Sequence, residues 1–187
     1  MARPWETMRW PDAPPRVLGE RVVLRPRRPD DADAVFDACQ DPAIQRWTTV
    51  PVPYLREHAM GFVRDYAEQQ WSARRGAPLC VASPDEDRVL GSCDLVKIDD
   101  VNLVAEIGDW IAPWSRGRGV ATEAVQLLTA WAIDEVGFAR IELLIDPENS
   151  ASCAVAEGVG CMLEGVLRSK ALVRGRRRDL AVYALVR

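Results

Sequence analysis

The chain has 187 residues, of which 48% are hydrophobic and 28% charged, with 24 Lys and Arg against 28 Asp and Glu for a net charge of −4. Such a length and composition fit one globular domain with a real core and exclude a disordered, collagen-like or coiled-coil chain. The acidic balance leaves no global basic field to hold a nucleic acid or an anionic membrane, so any such role needs a local patch.

Residues 1–16 form an arm in which Arg3, Glu6, Arg9 and Asp12 are mixed with prolines, and residues 17–187 read as one domain. The arm lacks the apolar run of a secretory signal, and no stretch is long and apolar enough to span a membrane, so a cytoplasmic protein is expected. Arg21-Val22-Val23-Leu24-Arg25, stopped by Pro26, reads as a first strand. Pro29-Asp30-Asp31 starts a helix that Asp41-Pro42 ends. Arg46 to Tyr54, with prolines at 51 and 53, reads as a stiff loop bearing two exposed aromatics, Trp47 and Tyr54, ahead of a helix over about 55–73.

Strands then follow at Leu79–Ala82, Val89–Ile98 and Leu103–Ile111, joined by short turns that make them antiparallel. A helix from Val120 carries Ala124, Leu127, Leu128 and Trp131 at helical spacing. Ile141–Ile145 is a buried strand, and Asn149 or Ser150 caps a helix through Glu157. Strands near 161–173 and 180–186 close the chain around the basic turn Arg174 to Arg178. The fold class is therefore α+β, with one mixed sheet flanked by helices.

Five cysteines form no C-x-x-C pair and are odd in number, so they read as small buried hydrophobes, and neither a disulfide framework nor a metal site is expected. The single histidine, His58, reads as a surface helix residue and leaves little material for a Ser-His-Asp triad.

Arg116-Gly117-Arg118-Gly119-Val120-Ala121, between a strand and a long helix, is the most informative stretch. Glycines let the backbone turn tightly and approach a ligand, while free amides at the helix start, with the dipole behind them, suit a phosphate or pyrophosphate. Arg116 and Arg118 add mobile positive charge. A Walker loop is excluded because no lysine follows the glycines, and a dinucleotide fingerprint lacks its third glycine at Thr122. A bare strand-to-helix turn with solvated arginines stays open as the alternative.

Arg116-x-x-Gly119-x-Ala121 resembles the Q/R-x-x-G-x-G/A signature of the GNAT acetyltransferase superfamily, and its flanks from Ala105 to Ala124 resemble the ribosomal-protein alanine N-acetyltransferase (Rim-type) branch. Asn149-x-x-Ser152, Gly160-x-x-x-Glu164-Gly165, Asp179 to Tyr183 and the entry Arg21 to Ala32 extend the resemblance over about residues 17–187. It implies a GNAT-like, mostly antiparallel sheet, acetyl-coenzyme A as donor, and direct attack by a primary amine, a protein N-terminus or a small molecule, in a ternary complex. It places Trp110, Ile111, Arg116, Gly117, Arg118, Gly119, Val120, Ala121, Asn149 and Ser152 on the cofactor, with Asn149 on the pantetheine amides. Trp47 and Tyr54 then fall on the acceptor. Glu106 is the candidate general base and Ser152 the candidate proton donor, since the tyrosine acid many members carry is Ala156 here and Arg168 to Val173 holds no late carboxylate. Asp109 stands where the branch usually has an aromatic. A monomer or homodimer is expected. The competing reading is a non-catalytic GNAT-fold module that binds coenzyme A or a protein partner.

Overall fold

The computed structural model describes residues 8–187; the arm residues Arg3 and Glu6 lie outside that range. Eight strands make one sheet in the order β1-β2-β3-β4-β5-β6-β8-β7. They are β1 (Val17–Leu18), β2 (Val23–Pro26), β3 (Ala77–Ala82), β4 (Val89–Asp99), β5 (Val104–Ile111), β6 (Arg140–Ile145), β7 (Met162–Val173) and β8 (Arg176–Val186). The expected antiparallel meander is β3-β4-β5, and every neighbouring pair is antiparallel except β5 and β6.

That exception positions the site. β5 and β6 pair only at Val104↔Arg140, Ala105↔Ile141 and Glu106↔Glu142. Beyond Glu106, β5 stays on β4 up to Gly91↔Ile111, while β6 stays on β8 up to Ile145↔Ala181. Each strand is held by its outer neighbour, so the inner pair parts into a wedge whose facing backbone edges are unpaired. A parallel pair entered from its C-terminal ends is where open sheets admit ligands.

Strand alternation separates two cores. One face carries Leu24, Leu79, Cys93, Leu95, Ile107, Ile111, Ile141 and Leu143 against α5 (Val120–Ala130) and α6 (Ser150–Val159). The other face meets α1 (Ala32–Ala38), α2 (Pro42–Trp47) and α3 (Arg56–Gly61), which bury Val35, Ile44, Tyr54 and Val63 beside Trp110. α3 continues through a π-helical turn at Phe62–Tyr66 into α4 (Ala67–Ser72). The described part of the arm lies against the domain, with Trp10 4.6 Å from Trp71 and 6.4 Å from Trp131 between ring centres.

Three expectations are corrected here. Asp41-Pro42 does not lead into a loop; Asp41 caps α2, accepting from the amides of Ala43 and Ile44, and Pro42 occupies the first helical position, where its missing N–H costs nothing. Tyr54 is not exposed but 5% accessible in the second core, its phenol beside Cys39. The strand read as the first, at Arg21–Arg25, is the second, β2 at Val23–Pro26, with β1 ahead of it, and it buries Arg25.

Arg25 is the most demanding buried group. It holds Asp31 through two parallel bonds of 2.8 and 2.9 Å and Asp87 through Nε at 2.7 Å. Removing one partner strands a charge in low dielectric, which costs far more than an exposed pair is worth. Asp31→Ala is expected to destabilise the fold by about 3–5 kcal/mol in urea unfolding, whereas Asp33→Ala, which breaks only the exposed pair with Arg56, should cost under about 1 kcal/mol.

Candidate active site

The glycine loop joins β5 to α5 at the mouth of the wedge. Gly117 and Gly119 have φ of 72° and 74°, the left-handed region that glycine enters without strain, and a Cβ at either would meet nothing within 4 Å. Gly119 is the N-cap of α5 and provides no side-chain cap, so the first helical amide bonded along the chain is that of Glu123, to the Gly119 carbonyl. The amides of Gly117 to Thr122 therefore have no partner among the described residues, and they face open space at the positive end of an 11-residue helix.

Arg116, read as a mobile charge, is instead tied down. Its Nε donates to the Ile111 carbonyl at 3.1 Å, and its two terminal nitrogens hold Asp41 at 2.7 and 3.3 Å. The guanidinium in turn keeps the Asp41 carboxyl below its ordinary range. Arg116 thus fixes the loop's shape and anchors α2 across the mouth, leaving Arg118 as the exposed, unpaired cation of the loop among the described residues. Arg118 and Gly119 line a cavity of about 580 Å³ with Arg21, Thr122, Glu123 and Gln126. Glu123 forms its wall by accepting from the amides of Glu20 and Arg21 at 2.5 and 3.0 Å.

On the wedge, Glu106 sits at the last β5–β6 pair, 15% accessible, with the Lys97 ammonium at 2.7 Å. Across the gap, Asn149 ends the β6–α6 turn and Ser152 lies in the first turn of α6. Asn149 caps α6 by accepting from the Ser152 amide at 3.3 Å, and its amide nitrogen donates to Ser152 Oγ at 2.9 Å. Because Ser152 Oγ accepts there, its own hydrogen is left to donate elsewhere. Ala156, the position without the tyrosine acid, is fully buried. Trp110 and Ile111 point to opposite faces, so any contact they make with a ligand in the wedge is through the backbone edge. Trp47 closes α2 with the Arg46 guanidinium 4.3 Å from its ring. Tyr54 is committed to the core and reaches the acceptor side only as packing.

Asp109, noted in the sequence only as standing where the branch usually has an aromatic, gains a physical character in the fold. It sits opposite Cys93 in register, on the face of β5 that Ile107 and Ile111 bury. It is half-buried there. With no hydrogen bond to offset burial, and with the Asp94 carboxylate on the adjoining strand, its pKa is pushed up to about 6. Asp94 itself is held by Arg27 at 2.5 and 2.6 Å, while burial pushes it upward.

Residues 21–162 match the family model described as the acetyltransferase (GNAT) domain. The chain belongs to the GNAT acetyltransferase family. It is 27% identical over 172 residues to an uncharacterized N-acetyltransferase, p20, of Bacillus licheniformis, covering 90% of this chain and 94% of the relative. It is 25% identical to the spermidine N(1)-acetyltransferase of Escherichia coli K12, covering 84% and 82%. The structure of Mycobacterium smegmatis RimJ in complex with CoA-disulfide superposes with a TM-score of 0.83 at 25% identity, covering 92% and 88%. The GNAT fold and the Rim-type resemblance both hold, and this GNAT protein is an acetyl-coenzyme A-dependent N-acetyltransferase. The free amides, the Cβ-free space at both glycines and the exposed Arg118 fit the donor's phosphates, and the unpaired strand edges fit its amide-bearing arm.

Two predictions follow from this geometry. Gly119→Val leaves room for folding but places a β-branched residue at φ 74° with its side chain in the phosphate space. It should abolish the rise in melting temperature that coenzyme A gives the parent protein by mass action, whereas Gly61→Ala, also in open space, should keep it. For Asp109 the folded-state pKa lies above the unfolded value, so the native state binds the extra proton. Its stability contribution is present at low pH and lost as pH rises from about 4 to 6, by at most about 3 kcal/mol before solvent contact reduces it. Asp109→Asn should therefore melt above the parent at pH 7.5, with the gap closing toward pH 4. A variant less stable than the parent at pH 7.5 would overturn this account.

Proposed function

We propose that the chain transfers an acetyl group to a primary amine, of a protein N-terminus or a small molecule, by direct attack in a ternary complex. The observation that carries this reading is the wedge between β5 and β6, open at the C-terminal strand ends and flanked by the glycine loop on one side and Asn149-Ser152 on the other. A relative that acts on spermidine and a neighbour named for the Rim branch leave both amine classes in view.

Bound acetyl-coenzyme A supplies an acyl carbon already activated by its thioester. The amides of Gly117 to Ala121 and Arg118 hold the phosphates, and the backbone of Asp109 to Ile111 holds the arm as an added strand would and offers an amide to the carbonyl. Glu106 accepts the proton that the attacking nitrogen gives up, directly or through one water. Ser152 donates its free hydrogen to the departing sulfur and regains one, by way of water, from the proton that Glu106 has taken, while Asn149 holds that hydroxyl in place. One N–C bond forms, one C–S bond breaks, and the proton lost by nitrogen is balanced by the proton gained by sulfur.

The two groups have unlike tasks, which separates them experimentally. Glu106→Gln should lower kcat by about 10²-fold near neutral pH and recover partly as pH rises, because an amine that is already neutral needs less help. Ser152→Ala should lower kcat without that recovery, and Glu106→Gln should keep the coenzyme A melting shift. Thiol release over an amine panel is the measurement, and Glu106→Gln at parental rate across the whole pH range would remove the carboxylate from the reaction.

A further inference from the structure

The basic run near the C-terminus is the strongest feature that the reaction chemistry does not absorb. The turn is tighter than the sequence reading, since β7 ends at Val173 and β8 begins at Arg176, so that Arg176 and Arg178 project from β8 itself. The hairpin folds back over the acceptor side of the molecule, where Arg174 donates to the Val50 carbonyl at 2.7 Å. There Arg174, Arg176 and Arg178 meet Arg46 of α2 around a cavity of about 330 Å³, completed by Gln45, Val52 and Val173. Four guanidiniums and no carboxylate line it, in a chain whose net charge is −4.

Charge repulsion makes such a gathering costly unless it is compensated, and the compensation is incomplete. Arg178 pairs with Asp146 at 2.8 Å and Arg46 with the exposed Glu148 at 3.1 Å, both outside the cavity lining. Arg46 and Arg178 also flank the ring of Trp47, at 4.3 and 5.9 Å. Arg174 spends one nitrogen on a neutral carbonyl, and Arg176 has no ion-pair partner among the described residues. The walls therefore present unspent guanidinium forks, the geometry that binds carboxylate or phosphate through paired hydrogen bonds.

Its placement connects the cavity to the acceptor. α2 crosses the open end of the wedge: Asp41 at its start holds Arg116 of the glycine loop, and Arg46 near its end holds Glu148, next to Asn149. The cavity lies at the far end of α2 from the phosphate loop, on the β6–β8 side, so it does not compete for the donor's phosphates.

We propose that this cavity is a subsite for an anionic group of the acceptor, so that the substrate is an amine whose carrier bears carboxylate or phosphate close behind the nitrogen, and not a polyamine. The proposal rests on the N-acetyltransferase reading, and a binding measurement separates the two. Binding of peptides to the coenzyme A-saturated protein is measured by calorimetry, with Ser-Glu-Glu-Ala amide, Ser-Gln-Gln-Ala amide, phosphoethanolamine and spermidine as probes. The acidic peptide or phosphoethanolamine should bind at least about tenfold more tightly than the neutral peptide or spermidine, and which anion binds better tells carboxylate from phosphate. Raised salt should weaken that preference. In Arg174→Gln/Arg176→Gln the preference should fall about tenfold or more, while the melting shift with coenzyme A is unchanged and reports an intact fold. Thiol release is then followed on the same probes, where the double variant should raise KM for the anionic amine and leave kcat within about twofold. Equal binding of acidic and neutral peptides, or a loss in the variant that is equal for all probes, overturns the subsite. Selective anion binding with no thiol release from any amine would sustain the subsite and overturn the transferase reading instead.

Discussion

Everything at the site depends on one constraint, the inability of β5 and β6 to remain paired beyond Glu106 and Glu142. Two strands part when each is bound more strongly to its other neighbour. β5 is committed to β4 along nearly its whole length, and β6 to β8 over six consecutive pairs. The twist that accumulates across the sheet is then released at the single parallel junction. The gap leaves backbone groups unpaired inside the domain, a state that is costly unless a ligand or water pairs them. The same gap sets Glu106 at the threshold.

α2 turns that gap into a site with two sides. A six-residue helix has little stability of its own, so its position rests on its ties: the Asp41 cap, the Asp41–Arg116 pair and the burial of Ile44. Because Asp41 both caps α2 and holds Arg116, the carboxylate couples the acceptor side to the phosphate loop. On one side lie free amides and Arg118; on the other lie Trp47 and the arginine-lined cavity. Two separate positive surfaces thus lie at opposite ends of α2 in an acidic protein.

Much of the architecture was legible because it is local. The antiparallel meander follows from short turns between β-rich runs, and the phosphate loop from glycines whose required φ no other residue supplies cheaply. The cap at Asn149 follows from residue type and spacing. The Asp41-Pro42 misreading has an equally local cause: aspartate as N-cap and proline as first helical residue are start signals, and they were outweighed by proline's tendency to end the preceding helix. Tyr54, directly after Pro53 in a proline-rich stretch, carried no sign that it would be buried in one cluster with Val35, Ala59 and Val63.

The sequence by itself determined the α+β class, the glycine loop and the family, because these rest on conformational preferences and spacings within a few residues. Tertiary structure alone decided where charge is spent. Arg116 is neutralised by Asp41, Arg25 by Asp31 and Asp87, and Glu123 is consumed by a turn about a hundred positions earlier in the chain. Arg46 is brought beside Arg174, Arg176 and Arg178 only when the last hairpin folds over α2. A charge acts over distance in space and is indifferent to separation along the chain, so whether an arginine is a strut or a binding group is settled only by what the fold sets beside it.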